Sequence, residues 1–235
     1  MAGVATPKWE AIRDNNINAK DIIEKLGSPL IVKPAVSGGS LGVGVKNVVE
    51  TELALQTQLS RMFEGYRGWN LSTDGIVAES FIEGPEYTVM IVGSHTHPEY
   101  AKIYPPVERV FHASLPEKEK FLSFDRLWEI YDEETPMPED ENFYQYKLGD
   151  EAIQLAVQKV SWEAYVACNG TGYTRVDVRI DKKTKEAYVL EVNAQCGLSE
   201  DENYTSIGAI LRYANQSFTE LVIHIINDAF ARRKK

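Results

Sequence analysis

The stretch Arg175–Gly197, RVDVRIDKKTKEAYVLEVNAQCG, decides the fold of this 235-residue chain. It predicts two strands, Tyr173–Ile180 and Ala187–Asn193, joined by a charged turn over residues 181–186. Because side chains alternate between the two faces of a strand, each strand presents two different sets of residues. The first strand has Val176, Val178 and Ile180 on one face and Arg175, Asp177 and Arg179 on the other. The second strand has Tyr188, Leu190 and Val192 on one face and Val189, Glu191 and Asn193 on the other.

A hairpin that closes symmetrically about Thr184 brings two acids together. Asp177 then lies across from Glu191, and Arg175 across from Asn193. Like charges directly opposite each other destabilise a sheet, and a hard cation such as Mg²⁺ would compensate two carboxylates and an amide oxygen. The same alternation is also typical of a solvated polar face of an antiparallel hairpin. The hairpin alone therefore leaves both interpretations open.

Composition narrows the class of protein. The formal net charge of −10 argues against non-specific binding to nucleic acid or to anionic membranes. Cys168 and Cys196 are too few for a disulfide framework, which favours a reducing compartment. No apolar run is long enough to span a membrane, so a cytoplasmic protein is expected. Cys168 is predicted to lie in the core, on an apolar helix face, and Cys196 shows no nucleophile pattern.

A glycine- and serine-rich loop follows the strand Leu30–Pro34, whose one charge is Lys33. The loop, Ser37–Gly44, is not a Walker A motif, because no Gly-Lys-Ser/Thr ends it and a strand over 45–49 follows instead of a helix. Its amides and hydroxyls could close over phosphates, and a glycine-rich turn without a ligand is the alternative. Lys33 must either meet an anion or occupy an edge position with its ammonium group in water.

The stretch Glu79–Glu86, ESFIEGPE, places acids around a boundary between a strand and a turn. Extended backbone here could bind an adenine edge and a carboxylate could bind ribose, although acids beside a turn are also common in proteins without such a site. Helix caps and apolar periodicity predict helices at Ala19–Leu26, after Thr51, after Asp150, around 207–214 and after Ser217. Residues 93–148 are predicted to be irregular.

The order of these pieces resembles the ATP-grasp superfamily, and within it the D-alanine–D-alanine ligase group. The resemblance rests on Lys33 and the loop after it, on AESFIEGPEYTV (78–89), on TRVDVRID (174–181) and on YVLEVNAQCGL (188–198). It implies an α+β fold in which two lobes, residues 1–80 and 81–235, grip a nucleotide between antiparallel sheets. It also implies a ligase that joins an amino acid or dipeptide carboxylate to an amine through an acyl phosphate, with ATP and Mg²⁺ (or Mn²⁺) as cofactors.

The resemblance also implies a role for individual residues. Nucleotide contacts are implied for Lys33, for Ser37, Gly38 and Gly39 in the loop, for Glu79, Ser80, Phe81 and Ile82 beside adenine, and for Glu86 on the ribose. The implied metal ligands are Asp177, Glu191 and Asn193. Arg175 would stabilise the acyl phosphate, and Ser40 would face the substrate. Thr205 and Ser206 would lie where the family recognises its second D-alanine.

Departures from the family pattern limit what is expected. The family has a further domain and a further ATP-binding lysine upstream of the point that matches Met1, so the resemblance implies a truncated form. A Lys-Tyr pair of the middle loop has no match, and Arg126 is the nearest substitute. Small-molecule partners are expected, and a homodimer is compatible with the resemblance. The alternative to a ligase is a non-catalytic or regulatory nucleotide-binding module.

Overall fold

The computed structural model describes residues 3–127, 134–135, 141–201, 203 and 205–233. The chain divides into two compact units, which we call the small unit (Pro7–Phe81 and Ala113–Glu141) and the large unit (Met1–Thr6, Ile82–His112 and Asn142–Lys235). This division differs from the expected lobes of 1–80 and 81–235, because residues 113–141 belong with the small unit and the first six with the large one. Each unit has an antiparallel sheet with helices, so the predicted α+β class is confirmed.

The small unit is a four-stranded sheet with two main helices. Its strands are β1 (Trp9–Ile12), β2 (Leu30–Pro34), β3 (Val48–Val49) and β4 (Ile76–Ser80), and its helices are α1 (Ala19–Leu26), α2 (Glu52–Glu64) and the short α3 (Phe124–Leu127). The strand order is β1-β4-β2-β3, with every pair antiparallel. Asn18 and Thr51 cap α1 and α2, as their sequence positions predict. The core joins Leu30, Val32, Ile76 and Ala78 of the sheet to Leu55, Leu59 and Met62 of α2.

The large unit is built on a six-stranded sheet. Its strands are β5 (Glu86–Ser94), β6 (His97–Ile103), β7 (Val107–Phe111), β8 (Tyr144–Leu148), β9 (Thr171–Ile180) and β10 (Ala187–Ala194), and its helices are α4 (Glu151–Ala167), α5 (Ser206–Ala214) and α6 (Phe218–Arg233). The order is β10-β9-β5-β7-β8, and β6 also pairs with β5. The prediction of an irregular segment over 93–148 is wrong, since β6, β7 and β8 lie in it. Pro105 and Pro106 fall between β6 and β7, where proline costs no ladder hydrogen bond.

Strand β5 lies at the centre of this sheet, and all nine of its residues are buried. On one face Tyr87, Val89 and Ile91 pack in a core that includes Val157, Val160 and Ala164 of α4. On the other face Met90 and Val92 pack in a core that includes Ile207 and Ile210 of α5 and Leu221 of α6. The polar residues Glu86 and Thr88 also belong to this second face, at the end of the strand away from Val92. This leaves a polar area beside the α5 and α6 core.

The predicted hairpin forms, with one difference. Asp177 pairs with Glu191 and Arg175 with Asn193, as expected. A β-bulge between Val189 and Glu191 shifts the register, so Val189 packs in the α4 core together with Val178, on the face opposite Glu191. The prediction that Val189 shares a face with Glu191 is therefore wrong, because a bulge reverses the alternation of side chains.

Two further expectations concern exposure. No helix in the described part of the chain is long and apolar enough to cross a membrane. Cys168 is exposed, not in the core as expected, because α4 ends at Ala167 and Cys168 lies just beyond the apolar face of the helix. Cys196 is buried, and burial raises the pKa of its thiol, which disfavours the thiolate that a nucleophile needs.

Candidate functional site

Lys33 has an anionic partner in the small unit. Its Nζ lies 2.6 Å from Oε2 of Glu79, and both side chains are largely buried. Lys33 pairs with Val77 of β4 on one side, whereas β3 pairs only with Leu30 and Ile31 of β2 and does not extend to Lys33. The ion pair with Glu79 agrees with the interpretation in which Lys33 meets an anion. The ion pair brings together two residues that the sequence assigned to nucleotide binding from separate motifs.

The loop after β2 presents several polar groups. Within it, the amide of Leu41 donates to the carbonyl of Gly38 and the amide of Val43 donates to the carbonyl of Ser40. Ser37 Oγ donates to the Leu41 carbonyl at 2.7 Å. Gly38 and Gly39 are exposed, and their amides donate to none of the described residues. Such exposed amides are suited to an anion.

Gly42 fixes the base of this loop. A Cβ on Gly42 would lie 2.8 Å from Cδ2 of Leu71 and 2.9 Å from Cγ of Pro34, and its φ is +76°. Glycine is therefore required there by both space and backbone conformation. A cavity of about 340 Å³ lies behind this part of the loop, lined by Gly42–Asn47 and by α2 residues such as Gln58 and Met62. Neither Lys33 nor Glu79 lines it, so the cavity is not the place where these two residues meet.

The predicted adenine segment is partly engaged in sheet structure. Glu79 and Ser80 belong to β4, which pairs with both β1 and β2. The amide of Ser80 donates to the Lys8 carbonyl, and Ser80 Oγ donates to the Leu26 carbonyl at 2.6 Å. The amide of Phe81 donates to the carbonyl of Pro29. These amides are therefore not free to read a base edge.

A polar face of the large sheet gathers the residues predicted for metal and phosphate. We call it the polar face, and its members are Glu191 and Asn193 of β10, Arg175, Asp177 and Arg179 of β9, Glu86 and Thr88 of β5, and Arg109 of β7. The strand register places Thr88 beside Asp177 and Glu86 beside Arg179. Arg109 lies on the other side of Glu86. Four strands thus contribute to one continuous polar area.

Arg175 and Asp177 form a two-pronged ion pair. Arg175 Nε donates to Oδ1 of Asp177 at 3.1 Å, and Nη2 donates to Oδ2 at 3.0 Å. Asn193 Nδ2 also donates to Oδ2 of Asp177, at 3.0 Å. Glu191 lies across from Asp177 in the adjacent strand. The structure therefore brings the predicted metal ligands and the predicted catalytic arginine together on one face.

The charges around Asp177 favour its ionised form. Burial acts to raise the pKa of the Asp177 carboxyl, but the guanidinium groups of Arg175 and Arg109 outweigh it, so the pKa lies below its usual range. For Arg175, burial acts to lower the pKa, but the neighbouring Asp177 carboxylate acts to raise it, and the pKa of Arg175 is raised overall. Asp177 is thus a carboxylate at neutral pH, which is the state that a metal or a cation requires.

Glu86 lies in a buried cluster with two arginines. Arg109 donates to its Oε1 in a short contact, and Arg179 donates to its Oε2 through Nε at 3.2 Å and Nη2 at 3.1 Å. All three residues are less than 10 % exposed. The sequence predicted a ribose contact for Glu86, and in this structure both of its oxygens are occupied by arginines. No pattern in the sequence indicated this structural role for Glu86.

Arg109 is the residue of this site that sequence reasoning missed most clearly. Its guanidinium lies 5.4 Å from the ring centroid of Tyr144 and 5.7 Å from that of Tyr146, a cation–π arrangement. Burial acts to lower its pKa, but Glu86 raises the pKa overall, so Arg109 stays charged. The only sequence signal was a basic residue at an inward-pointing position of VERVF (107–111), inside the segment expected to be irregular.

The donor set fits a hard divalent cation. Asp177 and Glu191 offer carboxylates and Asn193 offers an amide oxygen, which are the ligands that Mg²⁺ prefers. Among the described residues, no group of three or more His, Cys, Asp or Glu side chains could hold a metal. Two carboxylates with an amide do not need such a group. The residues that would hold the ion are therefore Asp177, Glu191 and Asn193.

Three other predicted contributors are engaged in structural contacts. Thr205 caps α5, since its Oγ1 accepts from the Gly208 amide at 3.2 Å and donates to the Asp201 carbonyl at 2.6 Å. Ser206 is the first residue of α5 and is buried. Arg126 is buried in the small unit and pairs with Glu119 and Glu134. Arg126 is therefore not available to replace the missing lysine of the middle loop.

Comparison with known proteins gives a consistent result. The family model described as "D-ala D-ala ligase C-terminus" matches residues 1–227. A "D-alanine--D-alanine ligase" of Polaromonas sp. (strain JS666 / ATCC BAA-500) is 27 % identical over 228 residues, which are 95 % of this chain and 58 % of that protein. The protein of the same name from Polynucleobacter asymbioticus is 28 % identical and covers 99 % of this chain and 60 % of its own length.

Solved structures show the same fold. A D-alanine–D-alanine ligase from Bacillus anthracis, complexed with ATP, superposes with a TM-score of 0.68 at 24 % identity and covers 99 % of this chain and 62 % of its own. The VanG D-Ala:D-Ser ligase from Enterococcus faecalis has a TM-score of 0.69 at 19 % identity, covering 97 % of this chain and 57 % of its own. The chain thus spans about three fifths of the length of the proteins it matches.

Proposed function

Because the chain belongs to the family described as D-ala D-ala ligase C-terminus, we propose that it carries the nucleotide-handling chemistry of an ATP-dependent carboxylate–amine ligase. In this reaction a carboxylate oxygen attacks the γ-phosphorus of ATP, ADP leaves, and an acyl phosphate forms. An amine then attacks the acyl carbon, phosphate leaves, and an amide bond results. The polar face around Asp177 is the observation that carries the proposal.

The role of each charged group follows from the negative charge on the phosphate oxygens and on the oxyanion that forms during the reaction. Phosphoryl transfer needs positioning and neutralisation of charge more than covalent help from the protein. Arg175 offers guanidinium donors to the acyl phosphate and to the oxyanion formed when the amine attacks. In the small unit, Lys33 and the amides of Gly38 and Gly39 offer donors to phosphate oxygens, and Ser40 is placed in the same loop.

The metal-binding part of the proposal uses Asp177, Glu191 and Asn193. A bound Mg²⁺ or Mn²⁺ would neutralise phosphate oxygens during the transfer. Arg175 donates to both oxygens of Asp177, so a cation that binds at Asp177 would compete with this ion pair. This exchange would direct Arg175 toward the phosphate rather than toward Asp177.

The acid and amine substrates are proposed to be amino acids or a dipeptide. A specific observation also supports the second candidate, a nucleotide-binding module without ligase turnover. Thr205 and Ser206, expected to recognise the second substrate, serve as the cap and first residue of α5. A protein that kept the polar face but not this recognition site would bind nucleotide without forming the amide.

Calorimetry with Mg·ATP tests the nucleotide site directly. We expect binding by the unmodified chain, and roughly tenfold weaker binding by Asp177→Asn and by Glu191→Gln, since each removes one charged metal ligand. Glu163→Gln is the matched control, because Glu163 lies on α4 and, among the described residues, forms an ion pair with Lys159 of the same helix alone. Equal affinity in all four proteins would contradict the proposed metal and phosphate site.

A second measurement separates the two candidate functions. ADP release is followed with D- and L-amino acids and dipeptides as acid and amine. Release that depends on both substrates supports the ligase. Nucleotide binding that responds to Asp177→Asn, without substrate-dependent ADP release, supports the module.

A further inference from the structure

Thr88 carries a buried hydroxyl without a hydrogen-bond partner on the polar face. It lies on β5, it is 0 % exposed, and its Oγ1 forms no hydrogen bond with any of the described residues. A hydroxyl that is removed from water and left unpaired destabilises a fold, so such groups are rare in native proteins. The position of this hydroxyl therefore needs an explanation beyond packing.

The neighbours of Thr88 on this face leave one carboxylate within its reach. Across the sheet, Thr88 pairs with Asp177 of β9 and with Val107 of β7. Along β5 its neighbours on the same face are the apolar Met90 and Glu86, whose two carboxylate oxygens already accept from arginines. Side chains directly opposite each other on adjacent strands lie about 5 Å apart at Cβ. The Asp177 carboxylate is therefore the acceptor that the hydroxyl can reach.

Other donors orient Asp177 in this structure. Arg175 donates to both of its oxygens and Asn193 Nδ2 donates to Oδ2, so three of the roughly four acceptor positions of the carboxylate are occupied. Burial acts to raise the pKa of Asp177, the guanidinium groups of Arg175 and Arg109 act to lower it, and the Thr88 hydroxyl adds to the lowering. Thr88 is thus close to Asp177 but is not among the donors that hold it.

The proposed reaction changes this arrangement. When Arg175 turns toward a phosphate group, Asp177 loses two of the three hydrogen bonds that orient it. Asn193 alone then holds the carboxylate, in the state in which Asp177 is needed as a metal ligand. A hydroxyl that donates to one oxygen leaves the other oxygen for the cation, and such outer donors orient the carboxylates of metal sites.

We propose that Thr88 is a positioning residue, whose hydroxyl becomes a hydrogen-bond donor to the Asp177 carboxylate when Arg175 releases it. The present structure, with the hydroxyl unpaired, is the state before this exchange of donors. The new hydrogen bond removes the cost of an unpaired hydroxyl and so offsets part of the loss of the Arg175 ion pair. The positioning role rests on the proposed function, whereas the exchange itself can be measured in the chain without a ligand.

Urea denaturation without a ligand tests the exchange of donors. Thr88→Val replaces the hydroxyl by a methyl group of similar shape, so it should leave the denaturation midpoint of the otherwise unmodified chain unchanged or raise it. In an Arg175→Ala background Asp177 is free to accept from Thr88, and the same substitution should lower the midpoint. Thr88→Ser keeps the hydroxyl and should have the same effect in both backgrounds. An equal effect of Thr88→Val in both backgrounds would overturn the proposal.

Binding of Mn²⁺, followed by electron paramagnetic resonance of the free ion, tests the positioning role. Thr88→Val should bind Mn²⁺ about tenfold more weakly than the unmodified chain, and Thr88→Ser should keep the affinity of the unmodified chain. Ser161→Ala is the matched control, because Ser161 Oγ is also buried without a partner among the described residues but lies on α4, which packs on the opposite face of the sheet. Its removal should leave Mn²⁺ binding unchanged.

The positioning role and the proposed metal site fail in different ways. If Asp177→Asn weakens Mn²⁺ binding and Thr88→Val does not, the metal site stands and the role of Thr88 is overturned. If Asp177→Asn has no effect, the metal site is overturned and the positioning role with it. Weaker binding by Thr88→Val, with Mn²⁺ affinity kept by Thr88→Ser and by Ser161→Ala, would support both.

Discussion

Glu86 is a single carboxylate that is the counter-ion of two buried arginines of the polar face. It pairs with Arg109 and Arg179 in a buried cluster, so the cost of burying two guanidinium groups depends on its negative charge. The family resemblance implied a ribose contact for Glu86. The structure shows that the same carboxylate is first a counter-ion, because two strands place arginines on either side of it.

Removal of this counter-ion should destabilise the fold. We expect Glu86→Gln to lower the free energy of unfolding by about 3–5 kcal/mol, because it leaves two buried guanidinium groups without a counter-charge. Urea denaturation followed by circular dichroism measures the change. The double variant Glu86→Gln with Arg109→Leu should lose less stability than the sum of its single variants. Strictly additive losses would show that the pair is not coupled.

Arg175 should compete with a metal ion for Asp177. Both Asp177 oxygens accept from Arg175, so a cation that binds there would compete with an ion pair worth about 1 kcal/mol at a partly exposed position. We expect Arg175→Ala to bind Mn²⁺ about fivefold more tightly than the unmodified chain, as measured by electron paramagnetic resonance of free Mn²⁺. Asp177→Asn should bind Mn²⁺ more weakly. Unchanged or weaker Mn²⁺ binding by Arg175→Ala would contradict the competition.

At the scale of elements, the β9–β10 hairpin owes its register to its turn and its bulge. The Asp181 carboxylate accepts from the amides of Lys183 and Thr184, each at 2.7 Å, and so closes the turn. The bulge after Val189 then lets the strand bury Val189 and still present Glu191 on the polar face. The local turn sets where pairing begins, and the bulge decides which side chains reach the site.

The turn should make hairpin stability depend on pH. Hydrogen bonds from the amides of Thr184 and Lys183 lower the pKa of Asp181 below its unfolded value of about 3.9. Its contribution is therefore fully present above about pH 4 and is lost as the pH falls through the lower folded pKa. We expect Asp181→Ala to cost about 1–2 kcal/mol at neutral pH, with a smaller difference below pH ~4 in urea denaturation. Glu163→Ala, which removes an exposed carboxylate outside the turn, is the control.

At the scale of the whole molecule, each unit has its own core and its own share of the predicted nucleotide residues. Lys33, Glu79 and the glycine-rich loop belong to the small unit, and the polar face belongs to the large unit. The chain as a whole carries a formal net charge of −10. The polar face differs from this average, because its arginines and its acids are equal in number. A polyanion such as ATP is therefore expected to bind with a divalent cation, not alone.

Ligand linkage provides a test on the intact chain. Free Mg·ATP at about a hundred times its dissociation constant should raise the free energy of unfolding by about 2.7 kcal/mol, because it binds the folded state only. The increase should disappear when a chelator removes Mg²⁺ and should be reduced in Asp177→Asn. Chemical denaturation with and without Mg·ATP measures it. An equal increase from ATP in the presence of the chelator would contradict a metal-dependent site.

The sequence by itself determined the local elements and the pairing of Asp177 with Glu191. Periodicity, caps and turn residues act over a few neighbouring positions, so α1, α2, α4 and the β9–β10 hairpin follow from the order of residues along the chain. The family resemblance supplied the likeness to ligases, which the family model supports. Local patterns also placed Arg175 and Asp177 on one strand face.

The tertiary structure alone decided which distant groups meet. Arg109 reaches Glu86 only because β7 pairs with β5, and Arg126 is unavailable only because Glu119 and Glu134 surround it. Such contacts depend on strand order and on packing between segments far apart in sequence, and no local pattern encodes them. For the same physical reason the sequence predicts helix α6, but only the packing of the large unit decides that Leu221 is buried while Ile223 and Phe230 of the same helix are exposed.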